Sequence, residues 1–239
     1  MLSIINSMYL NGLNGYLVEV QTEVTNGFPK FEVVGLPDTS VKEAKERVKA
    51  AIRNSGCNIP TNRIIINLAP ADTKKEGSIY DLPMAVGILT AMNAIKKENV
   101  KDTVILGELS LDGRINKING ILPMCIAAYD LGIKKVIIPK ENEKEASVIQ
   151  GIKIYGVKHL KEVINYCNEE EFLLTSKNDF KKIELNQNKF DFDFEDIKGQ
   201  ENAKRALEIA SAGGHNCILI GNPGVRKNFN GKSNRINFT

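Results

Sequence analysis

A strand that enters a phosphate-binding loop is indicated by Ile218-Leu-Ile-Gly-Asn-Pro-Gly-Val-Arg-Lys-Asn228. In the P-loop pattern G-x-x-x-x-G-K-[ST], glycines let backbone N–H groups surround a phosphate, the lysine reaches the β- and γ-phosphates, and the hydroxyl binds Mg²⁺. The candidate nucleotide-binding residues are the loop members at matching positions: Gly221, Asn222, Pro223, Gly224 and Lys227.

Two positions of this loop depart from the pattern. Arg226 replaces the second glycine, and Asn228 replaces the serine or threonine. The arginine side chain would occupy space that the phosphate needs, and an amide is a poorer Mg²⁺ ligand here than a hydroxyl. The chain ends at Thr239, so we expect no Walker B acid and no sensor residue after the loop. We therefore predict an incomplete P-loop ATPase start with no catalytic residues.

The last residues can be interpreted as out-of-frame sequence. Codons that encode Arg-Lys-Asn-Phe-Asn-Gly-Lys from Arg226 onwards can read Gly-Lys-Thr-Leu-Met-Ala-Lys in the shifted frame, which completes the P-loop and begins a helix. Our hypothesis is a single-base insertion near Val225 in the gene of a longer protein. It predicts an aberrant, disordered tail over 226–239 and a downstream reading frame that continues as an ATPase.

Composition and charge favour a protein of the cytoplasm. The net charge of +3 neither demands nor excludes nucleic acid. The four cysteines show no C-x-x-C spacing, which favours buried thiols in a reducing compartment over disulfides or metal ligands. A basic start followed by a long apolar run is missing, and no segment approaches the roughly 18 apolar residues of a membrane span.

The pattern of apolar residues predicts an α/β (α+β) fold. Residues 1–36 have β character, and strands are predicted over 16–24, 31–34, 63–69, 104–113 (with a hairpin turn), 135–139, 152–155 and 217–220. Helices are predicted over 40–55, from 81 onwards, and over 120–131, 160–167 and 201–211. Residues 167–195 are acidic and then rich in Lys and Asn, which predicts a linker.

Local signals place the ends of the first two helices. Ser40 and Glu43 have the spacing of a capping box, and Glu43 and Arg47 have the spacing of an exposed ion pair. Asp81 is predicted to cap the second helix, with Pro83 in its first turn. The predicted buried face of the first helix comprises Val41, Ala44, Val48, Ala51 and Ile52.

Several motifs resemble the Mg-chelatase-like AAA+ ATPases of the YifB/ComM type. The resemblance to the N-terminal domain of that family lies in segments 33–43, 67–72, 75–77, 106–113 and 137–142. The first of these segments reads Val-Val-Gly-Leu-Pro-Asp-Thr-Ser-Val-Lys-Glu. The start of its ATPase domain is similar to segments 199–207 and 213–221. The resulting domains are 1–166, Lon-protease-like; 167–195, linker; 196–225, ATPase start; and 226–239, tail.

The resemblance implies a Lon-protease-like, ribosomal-S5-domain-2-like fold for the first domain. It also implies that complete relatives use ATP and Mg²⁺, assemble as hexamers and process DNA in competence. DNA and self-association are therefore the expected partners, and a membrane is not. For this chain we expect at most a binding or assembly module; residual ATP binding or weak Ser/Lys peptidase activity is the alternative.

Lon-type proteases use a serine whose proton is taken by a neutral lysine. The resemblance places Ile79 at the nucleophile position and Met124 at the lysine position. Isoleucine has no proton to lose and methionine accepts none, so we expect a protease fold without protease chemistry. The only substitute dyad would be Ser78 with Lys74 or Lys75.

Other candidates have ordinary structural alternatives. Asp72, Glu76 and Asp81 could bind a metal, but a solvated loop with one helix cap is favoured, and no metal site is predicted. His159 is not expected to be catalytic, and His215 is expected to orient the strand that enters the P-loop. The first helix has a basic edge that is either a solvated face or a DNA contact: Lys42, Lys45, Arg47, Lys49 and Arg53.

Overall fold

Strands and helices alternate along the computed structural model, which describes residues 1–169, 173, 199–218 and 220. The strands are β1 Leu2–Asn11, β2 Asn14–Thr25, β3 Lys30–Val34, β4 Arg63–Ala69, β5 Thr103–Ile105, β6 Glu108–Leu109, β7 Ile115–Asn116, β8 Lys135–Pro139 and β9 Lys153–Val157. The helices are α1 Thr39–Asn54, α2 Asp81–Ala91, α3 Lys97–Val100, α4 Ile121–Asp130, α5 Glu143–Ala146, α6 Leu160–Cys167 and α7 Glu201–Ala212. The predicted mixed α/β class is confirmed. The short helices α3 and α5 were not predicted, because four residues show no helical period.

Seven strands form one sheet in the order β3-β4-β2-β1-β5-β8-β9. Strand β2 is antiparallel to its neighbours β1 and β4, and all other neighbours are parallel. Strands β6 and β7 form a separate hairpin around the predicted turn at Asp112 and Gly113. Parallel neighbours need crossover connections, so helices cover the faces of the sheet.

Both faces of the sheet carry an apolar core. In β8, Val136 and Ile138 belong to the core cluster that contains α4, whereas Ile137 belongs to the cluster that contains α1, α2 and α6. Successive side chains of a strand point to opposite faces. Strand β8 is therefore buried on both sides, which explains its continuous run of apolar residues.

Helix α2 lies very close to the sheet. Gly87 permits this approach, since a Cβ at that position would stand 2.5 Å from the Oγ1 of Thr22 in β2. The hydroxyl of Ser3 in β1 donates a hydrogen bond of 2.7 Å to the carbonyl oxygen of Gly87. These contacts hold the middle of α2 against β1 and β2.

Helix α1 is capped by Asp38, so the predicted capping box at Ser40 is wrong. The Asp38 Oδ1 atom accepts a 2.8 Å hydrogen bond from the N–H of Val41, and the helix begins at Thr39. Ser40 already lies inside the first turn. The predicted end is confirmed, since Gly56 follows the C-cap with φ 87°. The buried face is also as predicted: Val41, Ala44, Val48, Ala51 and Ile52.

Asp81 is the first residue of α2 and not its cap, so this prediction is wrong as well. Its side chain has no exposed surface and binds Arg47, with Nε–Oδ2 at 2.8 Å and Nη2–Oδ1 at 3.2 Å. The N–H of Leu109 donates to the same carboxylate at 3.3 Å. Arg47 pairs with the buried Asp81 and not with Glu43 as predicted, because a buried carboxylate is costly unless a cation is paired with it.

The chain divides into two units, residues 1–179 and 180–239. In the second unit, α7 confirms the helix predicted over 201–211. The strand predicted over 217–220 is not found, since the described residues 217, 218 and 220 belong to no strand. A strand needs a hydrogen-bonded neighbour, and the described part of this unit contains no second strand. None of the described helices has both the length and the apolar character to cross a membrane.

All four cysteines are free, as predicted. Burial raises the pKa of the thiols of Cys125 and Cys167 to about 12, so both remain protonated at neutral pH. Cys57 is half-buried, and burial raises its pKa too. Cys217 differs from the prediction because its side chain is exposed.

Candidate functional site

The loop between β4 and α2 is held in place by Lys75. Its backbone N–H donates to the carbonyl of Leu36 at 3.1 Å, and its carbonyl accepts from the N–H of Asp38 at 3.0 Å. Its buried amine donates to the carbonyl of Pro70, and to the carbonyl and hydroxyl oxygens of Thr73 at 2.8 and 3.0 Å. Desolvation lowers the pKa of the Lys75 amine. Lys75 therefore acts as a structural support of the loop.

Asp38 ties this loop to α1. While Oδ1 caps the helix, Oδ2 accepts a 3.1 Å hydrogen bond from the N–H of Gly77. Gly77 has φ 83°, which a residue with a Cβ adopts only at a cost. The chain then enters a 3₁₀ turn, Ser78–Tyr80, directly before α2. The turn places Ile79 next to the C-terminal end of β1.

Ile79 and Met124 line the same cavity of about 210 Å³. The structure thus brings together the two positions that the resemblance assigns to the nucleophile and the lysine of a Ser-Lys dyad. Lys74 and Glu76, which the sequence suggested for other roles, also line the cavity. The other lining residues were not anticipated from the sequence: Tyr9, Leu10 and Asn119. Tyr9 and Leu10 belong to β1, and Asn119 lies just before α4, so these residues come from segments far apart along the chain.

Ser78 does not form the substitute dyad. Its hydroxyl donates to the carboxylate of Glu108, whose other oxygen accepts a 3.1 Å hydrogen bond from Asn116. Lys74 binds Glu76 at 2.8 Å, and the Lys75 amine is held by the loop. A general base for Ser78 would therefore have to be a carboxylate of the β6–β7 hairpin and not a lysine.

The three carboxylates considered as metal ligands have separate roles. Asp81 binds Arg47, and Glu76 binds Lys74. Among the described residues, no group of three or more His, Cys, Asp or Glu side chains could hold a metal ion. Asp72 is exposed in the loop, as expected for a solvated side chain.

The buried carboxylate of Asp81 is perturbed by its surroundings. Burial raises its pKa to about 6, although Arg47 and the N–H of Leu109 lower it. In turn, the hydrogen bond to Asp81 raises the pKa of Arg47. At neutral pH both groups are charged. The pair was missed in the sequence because its members are 34 positions apart and no local pattern connects them.

His159 has a structural role. Its Nδ1 atom accepts a 3.1 Å hydrogen bond from the N–H of Lys161 and thereby caps α6. Since Nδ1 is an acceptor, Nε2 carries the proton and donates to the carbonyl of Asp112 at 2.9 Å. His215, in the second unit, donates its backbone N–H to the carbonyl of Ala210 at 2.8 Å.

The basic edge predicted on α1 is divided by the fold. Arg47 turns inward to Asp81, whereas Lys42 and Lys45 are exposed. Lys49 and Arg53 face a groove between α1 and β3 of about 460 Å³. The candidate P-loop residues Gly221, Asn222, Pro223, Gly224 and Lys227 lie outside the described residues and remain predictions, as does the tail over 226–239.

Two family profiles match the chain. Residues 20–142 match the family described as subunit ChlI of Mg-chelatase, and residues 193–234 match magnesium chelatase, subunit ChlI. The first match contains α1, α2, α4 and the cavity residues Ile79 and Met124. The second contains α7, the degenerate loop and part of the predicted tail.

Sequence similarity to known proteins agrees with the two family profiles. The chain is 38% identical over 227 residues to competence protein ComM of Haemophilus influenzae, covering 95% of this chain and 44% of ComM. It is 37% identical over 236 residues to YifB of Escherichia coli, covering 99% of this chain and 45% of YifB. It is 30% identical over 204 residues to Lon protease 2 of Bacillus subtilis, covering 78% of this chain and 36% of that protein. The chain thus spans less than half the length of each of these relatives.

Proposed function

This chain belongs to the Mg-chelatase-like family that includes ComM and YifB, and on that premise we propose that its first domain is a binding and assembly module without protease chemistry. The proposed fold of this domain is Lon-protease-like. The observation that carries the proposal is the cavity shared by Ile79 and Met124. The likeness to Lon protease 2 supports the fold, and the two side chains argue against the reaction.

The absence of protease chemistry that we propose follows from the side chains at the two dyad positions. A Ser-Lys protease needs a hydroxyl that becomes the nucleophile and an amine that takes its proton. Ile79 and Met124 offer neither. Ser78 donates to Glu108, and the amine of Lys75 is occupied by Pro70 and Thr73. Among the described residues that line this cavity, a nucleophile and its base are therefore not assembled.

A peptidase assay tests the proposal. We expect the full chain to cleave fluorescent casein no faster than buffer, and Ser78→Ala to behave identically. An active Lon protease serves as the positive control. Cleavage that disappears in Ser78→Ala would establish the alternative, a weak peptidase that uses Ser78.

The second part of the proposal concerns nucleotide. ATP and Mg²⁺ are the cofactors expected of intact family members, and we propose that Arg226 and Asn228 prevent productive binding in this chain. We expect no saturable Mg²⁺-dependent ATP binding at micromolar concentrations by calorimetric titration. Micromolar binding that is lost in Lys227→Ala would instead establish residual ATP binding through Gly221–Lys227.

Partners and location follow from the family and remain proposals. We propose DNA and other copies of the chain as partners, as the resemblance implies for complete relatives, and the free thiols fit a cytoplasmic location. We also retain the proposal of a frameshift near Val225. Sequencing the gene and its surroundings tests it: the downstream frame should continue as an ATPase.

A further inference from the structure

The groove between α1 and β3 combines positive charge with the aromatic side chain of Phe31. Its cations are Lys30, Lys49 and Arg53, and none of the described residues that line it is an aspartate or glutamate. Its volume of about 460 Å³ lies within the range of roughly 300–1,000 Å³ found for ligand pockets. The groove is therefore large enough for a nucleotide unit and has the sign of charge that attracts phosphate.

The cations differ in their availability. Lys30 binds Glu32 at 2.6 Å, and Lys49 binds Glu46 at 3.3 Å. Both pairs are exposed enough for a phosphate to compete for the lysine. Arg53, in the last turn of α1, has no ion-pair partner among the described residues. A guanidinium that has no ion-pair partner in the described part of the chain, in a groove that also contains two lysines, is suited to hold a phosphate through paired N–H groups.

Two phenylalanines accompany these cations. Phe31 lines the groove, with the Lys49 ammonium 5.5 Å from its ring centroid. Phe28 is 90% exposed in the turn before β3, beside the lining residue Pro29. The exposed ring of Phe28 is accessible to a ligand that approaches this side of the groove. Aromatic rings next to a cationic groove are the combination that binds single-stranded nucleic acid by base stacking.

We propose that the groove between α1 and β3 binds single-stranded nucleic acid. Arg53, Lys49 and Lys30 contact the phosphates, and Phe28 stacks on an unpaired base. Asn58, Thr61 and Asn62 supply polar groups along the same wall. The proposal deepens the expectation of a DNA partner, on which it rests only for the class of ligand. It assigns the binding site to residues of the first domain.

Fluorescence anisotropy of the full chain with labelled oligo(dT) of 20 nucleotides tests this inference. The key variant is Lys49→Gln/Arg53→Gln. Its matched control is Lys42→Gln/Lys45→Gln, which removes the same charge from the same helix outside the groove. We expect the groove variant to lose at least tenfold in affinity and the control to lose less than threefold. Phe28→Ala should lose about fivefold.

The single variant Arg53→Gln is included because Arg53 is exposed, so its substitution should not disturb folding. Its thermal melt should match that of the unaltered chain. Equal losses in the two double variants, no binding to oligo(dT), or tighter binding to a duplex of the same length would each overturn the proposal. The same measurement with oligo(U) compares RNA with DNA. Weaker binding of either oligonucleotide by the groove variant supports the proposal.

A further variant separates this inference from the proposed function. If Lys227→Ala abolishes binding while the groove variant does not, the ligand is held by the loop, and the groove proposal is wrong. The peptidase and ATP titrations involve none of the groove residues. Each proposal can therefore fail without the other.

Discussion

The ion pair of Arg47 and Asp81 joins three elements through one carboxylate. Arg47 extends from α1, Asp81 begins α2, and the N–H of Leu109 reaches the same carboxylate from β6. A buried charge is costly unless it is paired and hydrogen-bonded. Here the bidentate guanidinium and the backbone N–H satisfy it, and the N-terminus of α2 also favours an anion. This residue pair consequently holds the loop of Ile79 against the first helix.

The pH dependence of stability should report on Asp81. Burial places its folded pKa at about 6, above its ordinary value of 3.8. A pKa raised by folding contributes stability that is complete below the unfolded value and is lost as pH rises through the folded value. We therefore expect the free energy of unfolding of the unaltered chain, minus that of Asp81→Asn, to fall as pH rises from about 4 to about 6. Urea unfolding at several pH values measures this.

Glu76→Gln is the control for this experiment, since Glu76 is exposed and binds Lys74 at the surface. The free energy of unfolding of Glu76→Gln should lie close to that of the unaltered chain, because an exposed ion pair contributes little to stability. A difference for Asp81→Asn that grows with pH would mean that Arg47 outweighs burial. The pKa of Asp81 would then lie below its ordinary value.

At the scale of elements, Asp38 links a helix to a loop. One oxygen caps α1 through Val41, and the other binds Gly77 in the loop before α2. The sequence pattern favoured Ser40 as the cap because Glu43 follows three residues later. The choice was settled by the path of the chain into the helix, since Asp38 is extended with ψ −177° and Thr39 is already helical.

Substitution distinguishes the two caps. We expect Asp38→Ala to lower the free energy of unfolding by about 1–2 kcal/mol, as is usual when a capping side chain is removed. Ser40→Ala should change it by less than about 0.5 kcal/mol, the range of ordinary surface substitutions. Chemical denaturation of both variants decides between them. A loss in Ser40→Ala equal to that in Asp38→Ala would restore the capping box.

At the scale of the whole molecule, residues 1–179 form a unit with its own core. The last elements of that unit are structurally important. Strand β9 pairs with β8, and α6 buries Leu160, Val163 and Cys167. Without them, β8 would become an exposed edge strand with apolar residues on both faces. The unit is therefore complete only beyond α6.

Fragments test the independence of this unit. We expect residues 1–179 alone to unfold cooperatively in urea, with a single transition by circular dichroism. A fragment of residues 1–142, which ends where the first family match ends, should lack a cooperative transition because β9 and α6 are missing. A broad transition in the longer fragment would show that residues 180–239 are needed for folding.

The sequence by itself determined where most of the longer elements lie and which side chains they bury, although not the caps of α1 and α2. The apolar period of α1 predicted its five buried residues, the run over 63–69 predicted β4, and α6 was predicted at its observed bounds. The spacing of residues within one element decides such features, because side chains three or four positions apart share a helix face and alternate ones share a strand face. The family resemblance placed Ile79 and Met124 at the two dyad positions, and both line one cavity.

Only the tertiary structure decided which distant residues meet. It paired Arg47 with Asp81, turned Ser78 towards Glu108, and joined Lys30 with Arg53 in one groove. None of these contacts lies within one helix or strand, so no periodicity encodes them. They depend on how α1 and α2 pack on the sheet, and that packing is determined by the shape of the whole core.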